Sequence, residues 1–335
     1  MLIAVTGGTG YLGAHCVRLL LSEGHRVRLL VAPDAEGAPV VTRLAEIGDI
    51  EVLAGDVRDT AVVDRLLAGC DALIHGAGVV GTDNRRRTLM WQINAYATET
   101  VLNRAVDAGL DPVVSISSYS AMFPPPDGVI GPDTPTTEGR SAYAQTKAYA
   151  DRAARRLQRT GAPVVVTYPS SVVGAAFHTE PGVTERGWAP IVRWGVAPRL
   201  RGGMQMVDVR DIAKVHAAIM TPGRGPRRYV CGGTLIPFDD MISALEFGAG
   251  RRFKRIPLSP PIFRGLSRIA DTVSNVVPLG DGLSYEAALL LTAATPTDDS
   301  ATLRDLDIAW RSPINAIVAS FPGHDLPEDG VNPGV

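Results

Sequence analysis

A tyrosine and a lysine four positions apart are well suited to proton transfer. Tyr143 and Lys147 lie in a segment whose pattern predicts a helix over residues 143–159. Residues at i and i+4 share a helix face, so their polar tips can converge. A free tyrosine has a pKa of about 10, and a nearby ammonium favours the phenolate. We therefore expect Lys147 to lower the pKa of Tyr143 for general acid/base catalysis, although this spacing also occurs on merely solvated helix faces.

Two hydroxyl residues follow a predicted buried strand at residues 113–116. Ser117 and Ser118 stand at its carboxyl end, which is where ligands bind to parallel sheets. A serine at a strand end also often only caps the next turn. For Ser117, a capping or bracing role is the simpler interpretation.

The N-terminal sequence MLIAVTGGTGYLGAHC predicts a dinucleotide site. Residues 2–5 are typical of a buried strand, and residues 12–21 are typical of a helix. Gly7 permits a tight turn, Gly10 lets the backbone approach a pyrophosphate, and Gly13 lets the helix pack on the strand. The N-terminus of the helix offers free N–H groups to the anion.

Short apolar runs alternate with helical patterns through the first half of the chain. The runs lie at residues 2–5, 27–31, 50–53, 72–74, 113–116 and 164–168, and helices are predicted at 12–22, 62–67, 91–108 and 143–159. This alternation predicts an α/β fold, with a Rossmann-type doubly wound parallel sheet and a smaller C-terminal lobe. Pro- and Gly-rich segments at 181–203, 221–226 and 259–261 predict loops.

These patterns suggest how the chain is divided. We expect an NAD(P)-binding Rossmann domain over residues 1–175, to which residues of about 204–235 return, and a substrate-binding lobe over 176–203 and 236–325. Residues 266–277 have an amphipathic pattern, for which a helix closing the small lobe is a simpler interpretation than contact with a membrane or partner. Residues 326–335 are rich in Pro and Gly and predict a disordered tail.

Composition favours a small-molecule ligand. The formal net charge is −2 and the basic residues form no stripe, which argues against nucleic acid and anionic membrane surfaces. Cys16, Cys70 and Cys231 match neither a disulfide framework nor a metal site, so we expect no metal and a cytoplasmic location. No apolar run reaches about 18 residues, so no membrane span is expected.

Further motifs support a resemblance to a known family. They are TGGTGYLG at 6–13, GDVRD at 55–59, IHGAG at 74–78, SSYSA at 117–121, YAQTK at 143–147, YPSSVVG at 168–174 and VDVRDIA at 207–213. Together they resemble extended short-chain dehydrogenases/reductases, in the NAD-dependent epimerase/dehydratase superfamily. The last two motifs, with RRYVCGG at 227–233, look more like the dihydroflavonol-reductase and cinnamoyl-CoA-reductase branch than like sugar-nucleotide epimerases.

This resemblance implies roles for individual residues. Ser118 would orient the substrate oxygen, Tyr143 would transfer the proton, and Lys147 would tune Tyr143 and hold a ribose. Asp56 would contact adenine, and Asn94 would lie in the helix behind the active site. The implied cofactor-binding residues are Gly7, Gly10, Tyr11, Leu12, Gly13, Asp56, Val57, Ala77, Gly78, Asn94, Tyr143, Lys147, Tyr168, Pro169, Ser171 and Val172.

The residues after the second predicted strand leave the choice between NAD and NADP open. Val31 and Ala32 stand where an Asp would bind the NAD ribose or an Arg the NADP phosphate. Asp34 could reach a ribose, and Arg28 or Arg43 a phosphate, although such residues are more often simply solvated.

Two other groups of residues have simpler structural interpretations. The arginine run at 85–87 fits a solvated turn better than a substrate contact. His75 fits a packed structural residue better than a catalytic base.

The arginine of the epimerase motif RPxxVYG is replaced by Tyr168, which weakens the case for sugar-nucleotide contacts.

The resemblance implies an NAD(P)-dependent reductase or dehydrogenase, which transfers hydride between nicotinamide and a ketone, aldehyde or secondary alcohol of a mostly apolar small molecule. An NAD-dependent epimerase and a non-catalytic dinucleotide sensor are the alternatives, and the retained Ser118, Tyr143 and Lys147 argue against the sensor. Ser118 is followed by Tyr119 and Ser120, not by the Asp-Glu pair of 4,6-dehydratases, which argues against a dehydratase.

The helices at 91–108 and 143–159 resemble those that pair in family dimers, so a homodimer is expected.

Overall fold

Strands and helices alternate along the computed structural model, which describes residues 1–81, 84–274 and 285–324. The strands are β1 (Leu2–Thr6), β2 (Arg26–Val31), β3 (Ile50–Ala54), β4 (Ala72–His75), β5 (Val113–Ile116), β6 (Val164–Pro169), β7 (Ser171–Val173), β8 (Val196–Arg199), β9 (Gly203–Asp208), β10 (Arg227–Cys231), β11 (Thr234–Pro237) and β12 (Lys254–Pro257).

The α-helices connect these strands and continue beyond them. They are α1 (Tyr11–Ser22), α2 (Pro39–Ala45), α3 (Thr60–Leu67), α4 (Arg87–Met90), α5 (Thr98–Asp107), α6 (Ala142–Arg159), α7 (Val183–Trp194), α8 (Val209–Ile219), α9 (Phe238–Gly248), α10 (Pro260–Ser274), α11 (Tyr285–Ala293), α12 (Ser300–Leu306) and α13 (Pro313–Ala319).

Within the described residues, the main sheet has seven parallel strands in the order β10-β6-β5-β4-β1-β2-β3. The central strands are apolar and buried because helices cover both faces. One face packs α3, α5 and α6 through Leu66, Leu102 and Ala154, and the other packs α1 and α8 through Leu20 and Ile212. The predicted doubly wound α/β fold is confirmed.

A C-terminal lobe, formed by α7, β8, α9, β12, α10, α11 and α13, has its own core around Trp188, Ile242 and Ile317. Residues 181–203 were expected to be loops, but they contain α7 and β8. Gly195 ends α7 in a left-handed conformation, and the burial of Trp188 outweighs the cost of Pro190 inside the helix.

Three other predictions concern helices and termini. The helix expected at 91–108 is interrupted, because Trp91–Ala97 is a π-helix between α4 and α5. The amphipathic pattern at 266–277 lies partly in α10, whereas residues 275–277 and the expected tail at 326–335 lie outside the described residues. No helix in the described ranges is long and apolar enough to cross a membrane.

Candidate active site

The turn between β1 and α1 is built from glycines whose α-carbons touch neighbouring backbone. Gly7 has a φ of +76°, and a Cβ there would lie 2.5 Å from the carbonyl carbon of Gly76. A Cβ on Gly13 would lie 2.1 Å from the Gly7 oxygen, whereas one on Gly10 would meet only that oxygen, at 3.3 Å. Neighbouring backbone therefore leaves no room for a side chain at Gly7 or Gly13. At Gly10 there is space above the backbone that a ligand could occupy.

The start of α1 suits an anion. Gly10 is the N-cap residue and, as a glycine, has no side chain with which to cap the first turn, which contains Tyr11, Leu12 and Gly13. Uncapped N–H groups at the positive end of a helix bind phosphate well. The residues therefore fit the pyrophosphate of a dinucleotide.

Three predicted catalytic residues meet at the carboxyl end of β5. The Nζ of Lys147 donates to the carbonyl oxygen of Ile116 at 2.9 Å and lies 5.9 Å from the centroid of the Tyr143 ring. Ser118 lies close enough to Tyr143 to lower its pKa through a hydrogen bond. A Cβ on Gly78 would lie 3.9 Å from the same Nζ, so the end of β4 borders the cluster.

The two strand-end serines differ in their contacts. Ser118 is the N-cap of a short 3-10 turn, and its Oγ accepts hydrogen bonds from the amide and the hydroxyl of Ser120. Because both of these contacts are donors, the Ser118 proton is left to point toward Tyr143 or a substrate oxygen. The capping role expected for Ser117 falls to Ser118, and the Ser117 Oγ is buried without a hydrogen-bond partner among the described residues.

The pKa of Tyr143 is shifted in the opposite direction from the one expected. Burial raises the pKa of Tyr143 to about 12 and lowers that of Lys147 to about 8. Desolvation disfavours both charged forms, and the Lys147 ammonium is directed at the Ile116 carbonyl. In this structure Tyr143 is therefore a protonated hydroxyl at neutral pH, which is the form that donates a proton.

Other implied cofactor residues lie around the same edge of the sheet. Asp56 accepts from the backbone N–H and guanidinium of Arg58, which lowers the pKa of Asp56. Asn94 is buried and braces the site, since its amide exchanges hydrogen bonds with the backbone of Val79 and donates to Thr146. Of the other implied residues, Val57 follows β3 and Pro169 ends β6, and both are buried; Ala77 follows β4 and Val172 lies in β7, and both are partly buried.

The charged residues near β2 are largely occupied. The Arg28 guanidinium donates to the carbonyl of Ala68 at 2.5 Å and pairs with Glu51 at 2.9 Å, so it closes the end of α3. Arg43 pairs with Glu46, the residue that caps the C-terminus of its helix. Asp34 is exposed in a 3-10 turn at Pro33–Ala35. Both Arg28 and Arg43 are thus engaged in contacts within the protein, which does not favour a role for either in binding a cofactor phosphate.

His75 and the arginine run also have structural positions. The buried His75 ring is hydrogen-bonded to Thr6 and Thr98 on either side, and burial lowers its pKa to about 3. It is therefore a neutral packed residue, as expected. Arg85, Arg86 and Arg87 are exposed. No group of His, Cys, Asp or Glu able to hold a metal ion occurs in the described part of the chain.

The side chain of Tyr168 does not point toward the predicted cofactor site. The ring is fully buried against α6, and its hydroxyl donates to Asp151 at 2.6 Å and accepts from Arg155 at 3.1 Å. Thr136 donates to the other oxygen of Asp151, and Arg155 pairs with it at 2.8 Å. The network ties α6 to β6 and to the segment before α6.

Tyr168→Phe should lower stability without lowering turnover. Removing this hydroxyl leaves one Asp151 oxygen without a hydrogen bond, which costs about 1 to 3 kcal/mol of unfolding free energy. Urea denaturation and steady-state kinetics measure the two effects separately. A weaker cofactor affinity at unchanged stability would instead show that Tyr168 acts at the site.

Glu185 was missed because only the folded chain places it beside the glycine turn. Its Oε1 accepts from the Tyr11 hydroxyl at 3.0 Å and from the Gly174 amide at 3.1 Å, and Tyr11 also donates to the Gly174 carbonyl at 2.7 Å. Burial raises the pKa of Glu185 from 4.5 to about 7. This carboxyl therefore links α7 to the start of α1.

The free energy of unfolding should decrease as pH rises, because of the titration of Glu185. Between pH 4.5 and about 7 the unfolded chain has released this proton while the folded chain retains it, so the free energy of unfolding decreases as pH rises, then levels off. Relative to the parent, Glu185→Gln should gain about 3 kcal/mol across that window. Thermal unfolding at several pH values measures this, with the exposed Glu23→Gln as control. A pH-independent difference would contradict it.

Comparison with known proteins adds independent findings. The model of the NAD dependent epimerase/dehydratase family matches residues 3–232. A relative named sterol demethylase protein B, from Methylococcus capsulatus, is 26% identical over 92% of this chain and 93% of its own length. A relative named cinnamoyl-CoA reductase 1, from Oryza sativa subsp. japonica, is 25% identical over 73% of this chain and 75% of its own.

Solved structures show the same fold. The crystal structure of gox2253 aligns with a TM-score of 0.76 at 23% identity, covering 96% of each chain. UDP-glucose 4-epimerase from Bifidobacterium longum, in complex with NAD+ and UDP, aligns with a TM-score of 0.73 at 19% identity, again over 96% of each chain.

Proposed function

The chain belongs to the NAD dependent epimerase/dehydratase family, and on that premise we propose that it is an NAD(P)-dependent reductase or dehydrogenase. Its substrate is a ketone, aldehyde or secondary alcohol of a mostly apolar small molecule. The observation that carries the proposal is the meeting of Ser118, Tyr143 and Lys147 at the carboxyl end of β5, beside Gly78. In a doubly wound sheet this edge is where ligands bind.

Each residue has a task that its contacts support. The open surface at Gly10 and the uncapped start of α1 hold the pyrophosphate, and Lys147 holds the nicotinamide ribose. The bound dinucleotide supplies or accepts the hydride. Ser118 donates to the substrate oxygen and orients it. Tyr143 gives its proton to that oxygen during reduction and takes it back during oxidation.

Two features favour a substrate with an apolar reacting portion over a sugar nucleotide. The names of the two relatives refer to a sterol and to the cinnamoyl thioester of coenzyme A, in which the sterol and the cinnamoyl group are apolar ring systems. Tyr168, at the position of the epimerase motif's arginine, has its hydroxyl committed to Asp151 and Arg155. An epimerase remains the second candidate, because UDP-glucose 4-epimerase has the same fold.

A cofactor-linked assay separates these two functions. A panel of apolar ketones, aldehydes and alcohols, including steroids and aromatic aldehydes, is incubated with NADH, NADPH or their oxidised forms while absorbance is followed. Net oxidation or reduction of cofactor supports the proposed activity. Conversion of a sugar nucleotide with no net change in cofactor would support the epimerase instead. Comparing NADH with NADPH by fluorescence titration decides the cofactor preference.

We also propose a cytoplasmic homodimer. Trp91, Tyr96 and Tyr149 form an aromatic cluster on the face shared by the π-helix and α6, and Tyr96 is 53% exposed. Exposed aromatic clusters are typical of interfaces. Light scattering should give twice the chain mass, and Tyr96→Glu should give the monomer. The free thiols of Cys16, Cys70 and Cys231 fit a reducing compartment.

A further inference from the structure

A carboxylate from the C-terminal lobe touches the start of the catalytic helix. The backbone N–H of Ser141, the N-cap residue of α6, donates to Glu286 Oε2 at 2.6 Å. A Cβ built on Gly139 would lie 3.3 Å from Glu286 Oε1. Both carboxylate oxygens therefore lie against the turn that leads into Tyr143, although Glu286 is 143 positions away in the sequence.

Resting on the proposed function, we propose that Glu286 is a positioning residue, which fixes the first turn of α6 and places a negative charge at the start of the helix that carries Tyr143. Carboxylates near a helix N-terminus stabilise it through the helix dipole and through direct hydrogen bonds. Ser141 Oγ accepts from the Ala144 N–H, so Ser141 and Glu286 together satisfy two donors of this turn. The turn that orients Tyr143 is thereby held by the C-terminal lobe.

The Glu286 carboxylate, bound at Ser141, also affects the ionisation of Tyr143, which lies two residues further along α6. Burial is the main reason that the pKa of Tyr143 is raised to about 12, and electrostatic interactions with Tyr119 and with the Glu286 carboxylate raise it further. The hydrogen bond from Ser118 acts in the opposite direction. Burial also raises the pKa of Tyr119, and the charge of Glu286 adds to that effect. Ionising Tyr143 beside this carboxylate is therefore unfavourable.

The other charged groups around Tyr143 do not replace this contribution. Lys147 lies on the same helix with its Nζ directed at the Ile116 carbonyl. From α4, Arg87 donates to Gln145 at an exposed position. Arg140, in the turn before α6, stacks over the Tyr285 ring at 5.6 Å. These three cations are directed at the Ile116 carbonyl, at Gln145 and at the Tyr285 ring, whereas the carboxylate of Glu286 opposes the ionisation of Tyr143.

Glu286→Gln tests the proposal because it removes the charge and keeps an oxygen for the Ser141 N–H. The pH profile of kcat/KM for carbonyl reduction, set by the Tyr143 proton, should shift down by about half a pH unit or more. Glu286→Asp retains the charge and should restore the parent profile. Glu138→Gln is the matched control, because this glutamate immediately precedes Gly139 but is 81% exposed, and its profile should be unchanged.

A second measurement does not depend on turnover. Tyrosinate absorbance is titrated in the parent and in Glu286→Gln, each against its own Tyr143→Phe version, up to the highest pH at which circular dichroism shows all four proteins folded. Glu286→Gln should hold more Tyr143 tyrosinate at a given pH. Equal tyrosinate in both would overturn the inference about Glu286. A clear difference without turnover of any carbonyl compound would retain that inference and count against the proposed function.

Discussion

Tyr143→Phe is expected to lose between about 10²- and 10⁴-fold in kcat, with little change in cofactor affinity. The ring is retained, so its packing against Val79 and Met90 is preserved, but the hydroxyl beside Ser118 is lost. Without it, the substrate oxygen loses the hydroxyl that is placed to protonate it. Steady-state kinetics on the substrate found in the carbonyl panel, together with NADH fluorescence titration, measure both quantities.

Tyr149→Phe is the matched control for this result. Tyr149 lies on the same helix, and its hydroxyl donates to Glu99 at 2.6 Å, away from the catalytic cluster. Removing this hydroxyl should leave kcat within about twofold of the parent, because the ring and its contacts with Trp91 and Tyr96 are kept. Turnover of Tyr143→Phe within a few-fold of the parent would show that another group transfers the proton.

Gly7→Ala is expected to destabilise the fold by about 3 kcal/mol or more and to abolish cofactor binding. Two costs combine at this position. The φ of +76° is unfavourable for alanine, and its Cβ would lie 2.5 Å from the Gly76 carbonyl carbon, where backbone must move. Moving β4 away from β1 would also open the turn that presents Gly10. Urea denaturation and NADH titration measure the two losses.

Gly24→Ala separates the two costs. Gly24 has a φ of +81°, but a Cβ there meets nothing within 4 Å. It should therefore incur only the conformational cost, about 1 to 2 kcal/mol, and bind cofactor normally. If the two alanine variants are equally stable, contact with Gly76 is not what requires glycine at residue 7.

The local parts of the site could be predicted because their chemistry depends on short spacings. The alternation of apolar runs and helical periods gave the order of strands and helices, and hence the parallel sheet. Gly7, Gly10 and Gly13 lie within seven consecutive residues that form the loop before α1 and its first helical turn. Tyr143 and Lys147 lie one helical turn apart on α6. The α7 helix was missed, because its Pro and Gly content resembles that of a loop while its stability comes from burying Trp188.

The directions in which side chains point, and their contacts with residues far away in the sequence, were decided only by the packing of the folded chain. The sequence could not show that Tyr168 points into the core, that Arg28 closes α3, or that burial outweighs Lys147 in setting the pKa of Tyr143.

By itself, then, the sequence determined the doubly wound fold, the glycine turn and the pairing of Tyr143 with Lys147, because backbone periodicity and steric limits act between near neighbours. The tertiary structure alone placed Glu185 beside Tyr11 and Glu286 beside Ser141. Contacts between residues far apart in the chain depend on how whole elements pack, and no local pattern records that arrangement.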